Sequence, residues 1–221
     1  SRSRAVVPGD VDGVNSLVAY ETWRWVQDKP HAPYLVSLVV GKFDVVELGS
    51  KPVPMQVYVP PGRAGDVRAS YGRTPAMIEF FARRLEEPYP WDRYAQLVVW
   101  NFGAGGMENT SATTMHEGAL ATPVSLIDTD LDGLISHELA HQWFGDLTTC
   151  NSWEHIWLNE GFATYLTALW YEHRDGPAAY QRNIRGNFDG LAGADKPDAP
   201  GAVGMVSNIY THPWEVFRRP A

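Results

Sequence analysis

Hydrophobic residues recur with two different spacings along the chain, and the spacing changes near residues 60–66. Residues 34–60 are rich in Val and Tyr, with partial alternation and breaks at Gly and Pro, which predicts three short strands. The segment PPGRAGD that follows is the best linker candidate, because Gly and Pro interrupt regular structure. After it, apolar residues recur at the 3.6-residue spacing of an amphipathic helix: Met77, Ile78, Phe80, Phe81 and Leu85.

Further elements are predicted in the second half of the chain. AQLVVWNF, residues 95–102, predicts a strand, and the glycine-rich GAGGMEN, residues 103–109, predicts a turn directly after it. NEGFATYLTALWYEHR, residues 159–174, predicts a helix. Residues 190–204 are rich in Gly, Ala, Asp and Pro and predict a loop.

Another predicted helix carries two histidines four residues apart. It is expected to begin at Asp128 or Asp130, either of which is a suitable N-cap, and to end near Phe144 before a glycine. Residues four apart lie on the same face of a helix. His137 and His141 can therefore present imidazole nitrogens to one ion.

Two glutamates near these histidines supply the acidic groups that a catalytic zinc site requires. Zinc binds His nitrogens and carboxylate oxygens, and a catalytic site keeps one position for water. Glu160 follows His141 with eighteen residues between them, in an apolar stretch where an unpaired carboxylate is costly, and is the candidate third ligand. Glu138 points to a neighbouring face, as a general base would. An ordinary amphipathic helix is the alternative, but this combination is rare by chance, which favours a metal site.

Composition and charge exclude several other functions. The chain has 221 residues, 44% of them hydrophobic, which is enough to bury a core and argues against global disorder. The formal net charge is −8 without clusters of Lys and Arg, which argues against a nucleic-acid or anionic-membrane surface. The single cysteine, Cys150, excludes an intrachain disulfide.

The chain ends indicate a piece of a longer protein. No apolar run is long enough to span a membrane. The first ten residues lack both an initiating Met and an apolar signal core, so we expect a fragment. The location is unknown without the true N-terminus, with a soluble, cytoplasmic one favoured. The sequence does not indicate an oligomeric state.

Four segments of the chain resemble the motifs of one enzyme family. HELAHQWFGDLTTCNSWEHIWLNEGFATYL, residues 137–166, resembles the zinc signature of the gluzincin zinc aminopeptidases, the family of the aminopeptidase N and leukotriene hydrolase type. GGMEN, residues 105–109, resembles its Gly-Ala-Met-Glu-Asn exopeptidase motif, which lies about thirty residues before the zinc helix. YLVSLVVGKFDVV and PMQVYVPPG resemble the junction between the family's N-terminal β-domain and its catalytic domain.

The resemblance implies an α+β fold and a two-part organisation. Residues 61–221 would form a thermolysin-like zinc peptidase catalytic domain, incomplete at its C-terminus, of a longer bacterial-type member. Residues 1–60 would form the C-terminal part of a β-rich N-terminal domain that precedes it.

The resemblance also implies a zinc-dependent aminopeptidase acting on peptides with a free N-terminus. One Zn²⁺ per chain would be bound by His137, His141 and Glu160, with Glu138 as the general base. Glu108 would receive the α-ammonium group of the substrate. The other substrate-binding residues that the resemblance implies are Gly105, Gly106, Met107 and Asn109.

Some positions depart from the family's pattern. Gly106 replaces the usual Ala and Thr110 replaces a common Trp, so the preferred N-terminal residue is not predicted. The family also supplies a tyrosine that stabilises the oxyanion, in a segment resembling Tyr-x-Lys-Gly-Ala that falls at or just beyond Ala221. Tyr210 is the nearest candidate, but its segment lacks the Lys-Gly pair. These residues alone are therefore expected to bind zinc and to be nearly inactive.

Two other functions stay open at this stage. A thermolysin-type zinc endopeptidase shares the histidine pentapeptide but has no need of GGMEN. A non-catalytic, zinc-stabilised binding module has no need of Glu138.

Asp146 and Asn159 flank the metal segments and are candidates for hydrogen bonds to the ligand histidines. Capping of a helix or a turn by these residues is equally supported. Core packing is expected for Trp143, Trp153 and Trp157.

Overall fold

The computed structural model describes residues 2–11 and 14–194. Its contacts divide the chain into two compact units, Ser1–Pro30 and His31–Ala221. The first unit contains an antiparallel pair of strands, β1 (Arg2–Val11) and β2 (Val14–Trp23). The second unit contains all the elements that concern the candidate site.

A five-stranded mixed sheet lies in the second unit. Its strands are β3 (Asp44–Gly49), β4 (Met55–Val59), β5 (Tyr94–Val99), β6 (Gly106–Met107) and β7 (Ala112–His116). Their order across the sheet is β3-β4-β5-β7-β6. The three central strands are parallel, and both edge strands run antiparallel to their neighbours. The GGMEN segment therefore contributes one edge of the sheet.

Five α-helices accompany the sheet among the described residues. They are α1 (Val67–Tyr71), α2 (Thr74–Leu85), α3 (Asp132–Ala140), α4 (Trp157–Asp175) and α5 (Pro177–Ala194). α3 packs against α4, and α4 packs against α5. None of the described helices is long and apolar enough to cross a membrane.

One hydrophobic core joins the sheet to the helices. Successive side chains of a strand point to opposite faces, and on β4 Met55, Val57 and Val59 are buried. Phe81 of α2 and Leu139 of α3 belong to the same cluster and are fully buried. The helix that carries the two histidines is thus seated directly in the core.

A buried carboxylate fixes the N-terminal end of α3. Asp132, 1% exposed, accepts hydrogen bonds from Trp170 Nε1 at 3.0 Å and from Arg174 Nη1 at 2.6 Å, both on α4. Arg73 Nη1 donates to its other oxygen at 3.2 Å. Arg174 also reaches Asp130, 2.6 Å away. These bonds hold α3 and α4 together where α3 begins.

Most of the predicted elements are present, with shifted ends. The predicted strand at 95–102 is β5, and the predicted helix at 159–174 is α4. α3 begins at Asp132 and is shorter than predicted at its C-terminal end. It ends early because the next turn tightens to bonds between residues three apart, and Gly145 follows with a φ of +127°, as expected for a helix-terminating glycine.

The sequence prediction was wrong or incomplete at several places. Residues 34–60 form two strands instead of three, because none of the described residues pairs with 36–43 as a strand. The elements that were not predicted are β1, β2, α1, β6, β7 and α5. The loop expected at 190–204 is wrong for its first five residues, which continue α5, and its remainder lies outside the described residues.

The mixed sheet and its helices agree with the predicted α+β class. β3 and β4 share their sheet with β5, which lies beyond the predicted boundary at residue 60. The division into a preceding β-domain and a catalytic domain stays a prediction.

Candidate active site

Three potential metal ligands converge between α3 and α4. Nε2 of His137 lies 3.0 Å from Nε2 of His141 and 3.2 Å from Oε2 of Glu160. Nε2 of His141 lies 3.5 Å from the same carboxylate oxygen. His141 is buried, while 24% of the His137 side chain and 19% of the Glu160 side chain are exposed. The opening of the cluster to solvent is therefore on the side of His137 and Glu160.

The spacing of these three atoms fits a zinc ion. Zn–N distances of about 2.0–2.1 Å in a tetrahedron place ligand atoms about 3.3 Å apart. The three observed separations, 3.0, 3.2 and 3.5 Å, bracket that value. Nδ1–H of His141 donates to the carbonyl oxygen of Phe144 at 2.9 Å, which leaves the lone pair on Nε2 for a metal. The side chains of His137, His141 and Glu160 therefore fit a zinc ion.

Electrostatic contacts within the cluster shift the pKa values of its members. Burial raises the pKa of Glu160, but its bonds to His137 and His141 outweigh burial and hold it well below the usual range. Burial lowers the pKa of His141, but Glu160 and the charges of Glu108 and Glu138 raise it overall, to about 10. The carboxylates around His141 thus favour a positive charge at its imidazole.

Glu138 lies beside the ligand cluster, against strand β6. It is 6% exposed, and burial raises the pKa of its carboxyl to about 8. A Cβ atom on Gly106 would clash with Cδ and Oε1 of Glu138. The absence of a side chain at Gly106 therefore makes room for this carboxyl group.

Glu108 brings a second carboxylate to the same region. It is 7% exposed and follows β6 directly. The charge of Glu108 contributes to the raised pKa values of Glu138 and His141, which indicates that Glu108 is close enough to interact electrostatically with both groups. Its backbone carbonyl accepts a bond from Gln142 Nε2 at 3.1 Å, which ties the loop to the residue after His141.

The other residues of GGMEN shape the edge of the sheet. Gly106 and Met107 pair with Met115 and Thr114 of β7. The carbonyl oxygen of Gly105 accepts a bond from the backbone of His116 at 2.9 Å.

The amide of Asn109 is occupied by bonds within the protein. Its Nδ2 donates to the carbonyl oxygen of Leu35 at 3.2 Å, and its Oδ1 accepts from Thr114 Oγ1 at 2.7 Å. Asn109 thus braces the loop that follows β6 and carries Glu108.

Sequence reasoning missed two residues that organise the site. Gln142 is fully buried, and its Oε1 accepts from the backbone N–H of Ser111 at 2.8 Å, in addition to its bond with Glu108. The position of Gln142, directly after a candidate ligand histidine at the end of an apolar helix, could have indicated this role. The second residue is Tyr34, whose hydroxyl accepts a bond from Asn159 Nδ2 at 3.3 Å. No local pattern marks that contact, because 125 residues separate the partners.

The flanking acidic and amide residues do not bond to the ligand histidines. Nδ1 of His141 bonds to a backbone carbonyl instead of Asp146 or Asn159. Both carboxylate oxygens of Asp146 are buried, and burial raises its pKa to about 9. Asn159 Oδ1 accepts from the backbone N–H of Cys150 at 3.3 Å, as a turn-capping residue does.

The outcome for the tryptophans is mixed. Trp143 is buried in the core as predicted, at 3% exposure, and Trp157 is half-buried. The core position predicted for Trp153 is wrong, because Trp153 is 49% exposed and packs edge-on against Tyr34. The candidate Tyr210 lies outside the described residues.

Residues 69–210 of the chain match the family model described as Peptidase family M1 domain. The chain belongs to peptidase family M1. The family implies a metal, typically zinc, in agreement with the convergent ligand atoms.

Curated relatives give the same family. The chain is 34% identical to aminopeptidase 2 of Candida albicans over 73% of its own length, and 35% identical to aminopeptidase M1 of Arabidopsis thaliana over 72%. It is 36% identical to human aminopeptidase N over 62%. The chain covers 17%, 18% and 15% of these three proteins, less than a fifth of their length in each case.

A solved structure supports the fold. It is an M1 zinc metallopeptidase from Deinococcus radiodurans, a glutamate-to-alanine mutant bound to a Tyr-Ser-Ala substrate. It superposes with a TM-score of 0.61 over 87% of this chain and 42% of that one, at 24% sequence identity.

Proposed function

We propose that this chain carries the active site of a zinc-dependent aminopeptidase that binds one Zn²⁺ per chain. The observation that carries the proposal is the convergence of His137, His141 and Glu160 within 4.8 Å of one another. The buried Glu138 beside them and the buried Glu108 nearby supply the two other groups that the reaction requires. The substrates are peptides with a free N-terminus, as the names of the aminopeptidase relatives suggest.

In the proposed reaction, Glu138 is the general base. His137, His141 and Glu160 would hold the Zn²⁺, which would supply a water of lowered pKa and polarisation of the scissile carbonyl. The Glu138 carboxylate accepts a proton from the attacking water and passes it to the leaving amine nitrogen. Its position against Gly106 keeps the carboxyl beside the ligands without making it one of them.

Glu108 restricts the reaction to chain ends. Its buried carboxylate is stabilised when a substrate ammonium group pairs with it. An internal peptide segment has no ammonium group to offer and would leave this carboxylate unpaired. The buried carboxylate of Glu108 favours an aminopeptidase over a thermolysin-type endopeptidase, and the position of Glu138 favours an enzyme over a binding module.

The discriminating experiment compares free and blocked substrates. The protein, expressed at its natural length, is assayed with alanyl-p-nitroanilide and with its N-acetylated form, before and after removal of metal by a chelator. We expect hydrolysis of the free amine only, with loss of activity in chelator and recovery on addition of Zn²⁺. Equal hydrolysis of the acetylated compound would indicate the endopeptidase, and no hydrolysis of either by zinc-loaded protein would indicate the binding module.

A further inference from the structure

A short turn before the sheet contacts the candidate site from outside its two helices. Residues Pro33–Leu35 form one turn of 3₁₀-helix, in which Leu35 is buried and Tyr34 is half-buried. Tyr34 packs edge-on against Trp153, with ring centroids 4.9 Å apart. The turn is thus anchored by apolar contacts, and its polar atoms are directed to the segments that flank the site.

The hydroxyl of Tyr34 lies between the two segments that carry the metal ligands. It accepts a bond from Nδ2 of Asn159 at 3.3 Å, and Asn159 directly precedes Glu160. It also lies 3.5 Å from the carbonyl oxygen of Gly145, in the turn that follows His141. Asn159 is fully buried, so without this hydroxyl its amide would lose the acceptor that the structure shows for it.

The turn that contains Gly145 orients one of the ligands. The carbonyl oxygen of Phe144 accepts the bond from His141 Nδ1, and a Cβ on Gly145 would lie 3.2 Å from that same nitrogen. Thr149 Oγ1 donates to the carbonyl oxygen of Gly145 at 2.6 Å. A displacement of this turn would therefore move the acceptor that fixes the imidazole of His141.

The turn Pro33–Leu35 also contacts the loop that carries Glu108. The carbonyl oxygen of Leu35 accepts the bond from Nδ2 of Asn109, the residue after Glu108. Tyr34 thus contacts the residue next to the candidate ligand Glu160, and Leu35 contacts the residue next to Glu108, the candidate substrate-binding group.

We propose that Tyr34 is a positioning residue, whose hydroxyl holds the segments around Gly145 and Asn159 in the arrangement that brings His141 and Glu160 onto one metal ion. This inference rests on the proposed zinc site. Tyr34 acts through Asn159 and Gly145 and is not one of the three candidate ligands. Its removal should therefore weaken metal retention more than it weakens the fold.

The test uses Tyr34→Phe, which removes the hydroxyl and keeps the ring that packs on Trp153. Tyr58→Phe is the matched control, because the Tyr58 hydroxyl also makes hydrogen bonds, to Gln56 Oε1 at 3.1 Å and from Arg93 at 3.3 Å, but on β4. Zinc-loaded wild type and both variants are mixed with a chromophoric chelator, and the rate of zinc release is followed. The thermal midpoint of each metal-free protein is measured beside it.

We expect zinc release on the order of tenfold faster in Tyr34→Phe and unchanged in Tyr58→Phe, with similar metal-free midpoints for the two variants. The visible spectrum of the Co²⁺-loaded protein should shift in Tyr34→Phe only. Release at the wild-type rate would overturn the inference, and so would equal acceleration in both variants or a failure of metal-free Tyr34→Phe to fold, since these indicate a general structural role. A wild-type chain that binds no zinc would instead overturn the proposed function.

Discussion

At the scale of single residues, Glu138 has a role that is separable from that of the ligands. Its carboxyl lies against Gly106 and outside the cluster of His137, His141 and Glu160. We therefore expect Glu138→Gln to keep zinc and to lose turnover by a factor of about 10² or more, because the amide cannot accept the proton. Metal analysis and steady-state kinetics of the natural-length protein measure both effects.

The control for this substitution is Glu79→Gln, which changes an exposed glutamate on α2. It should leave both zinc content and turnover at the wild-type level. An active Glu138→Gln would refute the assignment of the base.

Glu108 is predicted to act on substrate recognition and to have little effect on the metal. Glu108→Ala would leave the substrate ammonium without its partner in a buried site, a loss of about 2–5 kcal/mol in transition-state binding. Turnover of free-amine substrates should fall accordingly, while zinc content stays at the wild-type level. The measurement is kcat/KM beside metal content, with Glu79→Ala as control, and an unchanged kcat/KM would remove the argument for an aminopeptidase.

Residues in the zinc motif were predictable because their geometry is local or regularly spaced. The four-residue interval between His137 and His141 places them together on any helix, and the structure brings their Nε2 atoms to 3.0 Å. The bond between Tyr34 and Asn159 follows from the folding of distant segments, which the spacing of residues does not indicate. The same holds for the carbonyl of Phe144, a backbone group that any residue could supply.

At the scale of elements, the amphipathic helices and apolar strands were predictable, and the polar elements were not. β7 has the sequence ATTMH, which is short and lacks the alternation of apolar and polar residues that marks a strand, although Thr113 and Thr114 are buried and threonine favours strands. α5 contains Gly186 and Gly190, which weaken helix propensity, although the described structure continues the helix to Ala194. In α5, packing against α4 outweighs the low helix propensity of these glycines.

The contact between α3 and α4 depends on Arg174. Arg174→Met would leave the buried Asp132 with fewer donors, a loss of about 2–3 kcal/mol in the free energy of unfolding. Denaturant unfolding of the metal-free chain measures it, so that zinc binding does not mask the effect. Arg185→Met, which changes an exposed arginine on α5, should be neutral, and equal losses in the two variants would contradict the assigned role.

The contribution of the pair between Arg174 and Asp130 depends on pH. Burial raises the pKa of Asp130, but the hydrogen bond from Arg174 outweighs burial and lowers it overall. Because the folded pKa is below the unfolded value of about 3.9, this contribution is present above that pH and is lost as the pH falls through the folded pKa. The stability difference between wild type and Arg174→Met should therefore shrink below about pH 3.9, and a difference that grows there would contradict the assignment.

At the scale of the whole molecule, the candidate ligands link two helices that are separated by a loop. His137 lies in the last turn of α3, His141 directly follows that helix, and Glu160 belongs to the first turn of α4. A metal that binds only the folded chain stabilises it by about 4 kcal/mol at a thousandfold excess over its dissociation constant. We expect Zn²⁺ to raise the thermal midpoint of wild type and to leave that of His137→Ala unchanged.

Mg²⁺ is the control ion for this measurement. It prefers oxygen ligands and keeps several waters, so a site with two imidazoles should not retain it. A similar rise in thermal midpoint with both ions would indicate binding elsewhere on the acidic surface.

The most direct test of the account is the zinc content of the purified 221-residue chain and of its Glu160→Ala variant, determined by elemental analysis after exhaustive dialysis. The account predicts about one zinc per wild-type chain, a value close to zero for Glu160→Ala, and about one for the control Glu138→Gln. A wild-type chain without zinc, or a Glu160→Ala variant that retains it fully, would contradict the claim that His137, His141 and Glu160 form the metal site.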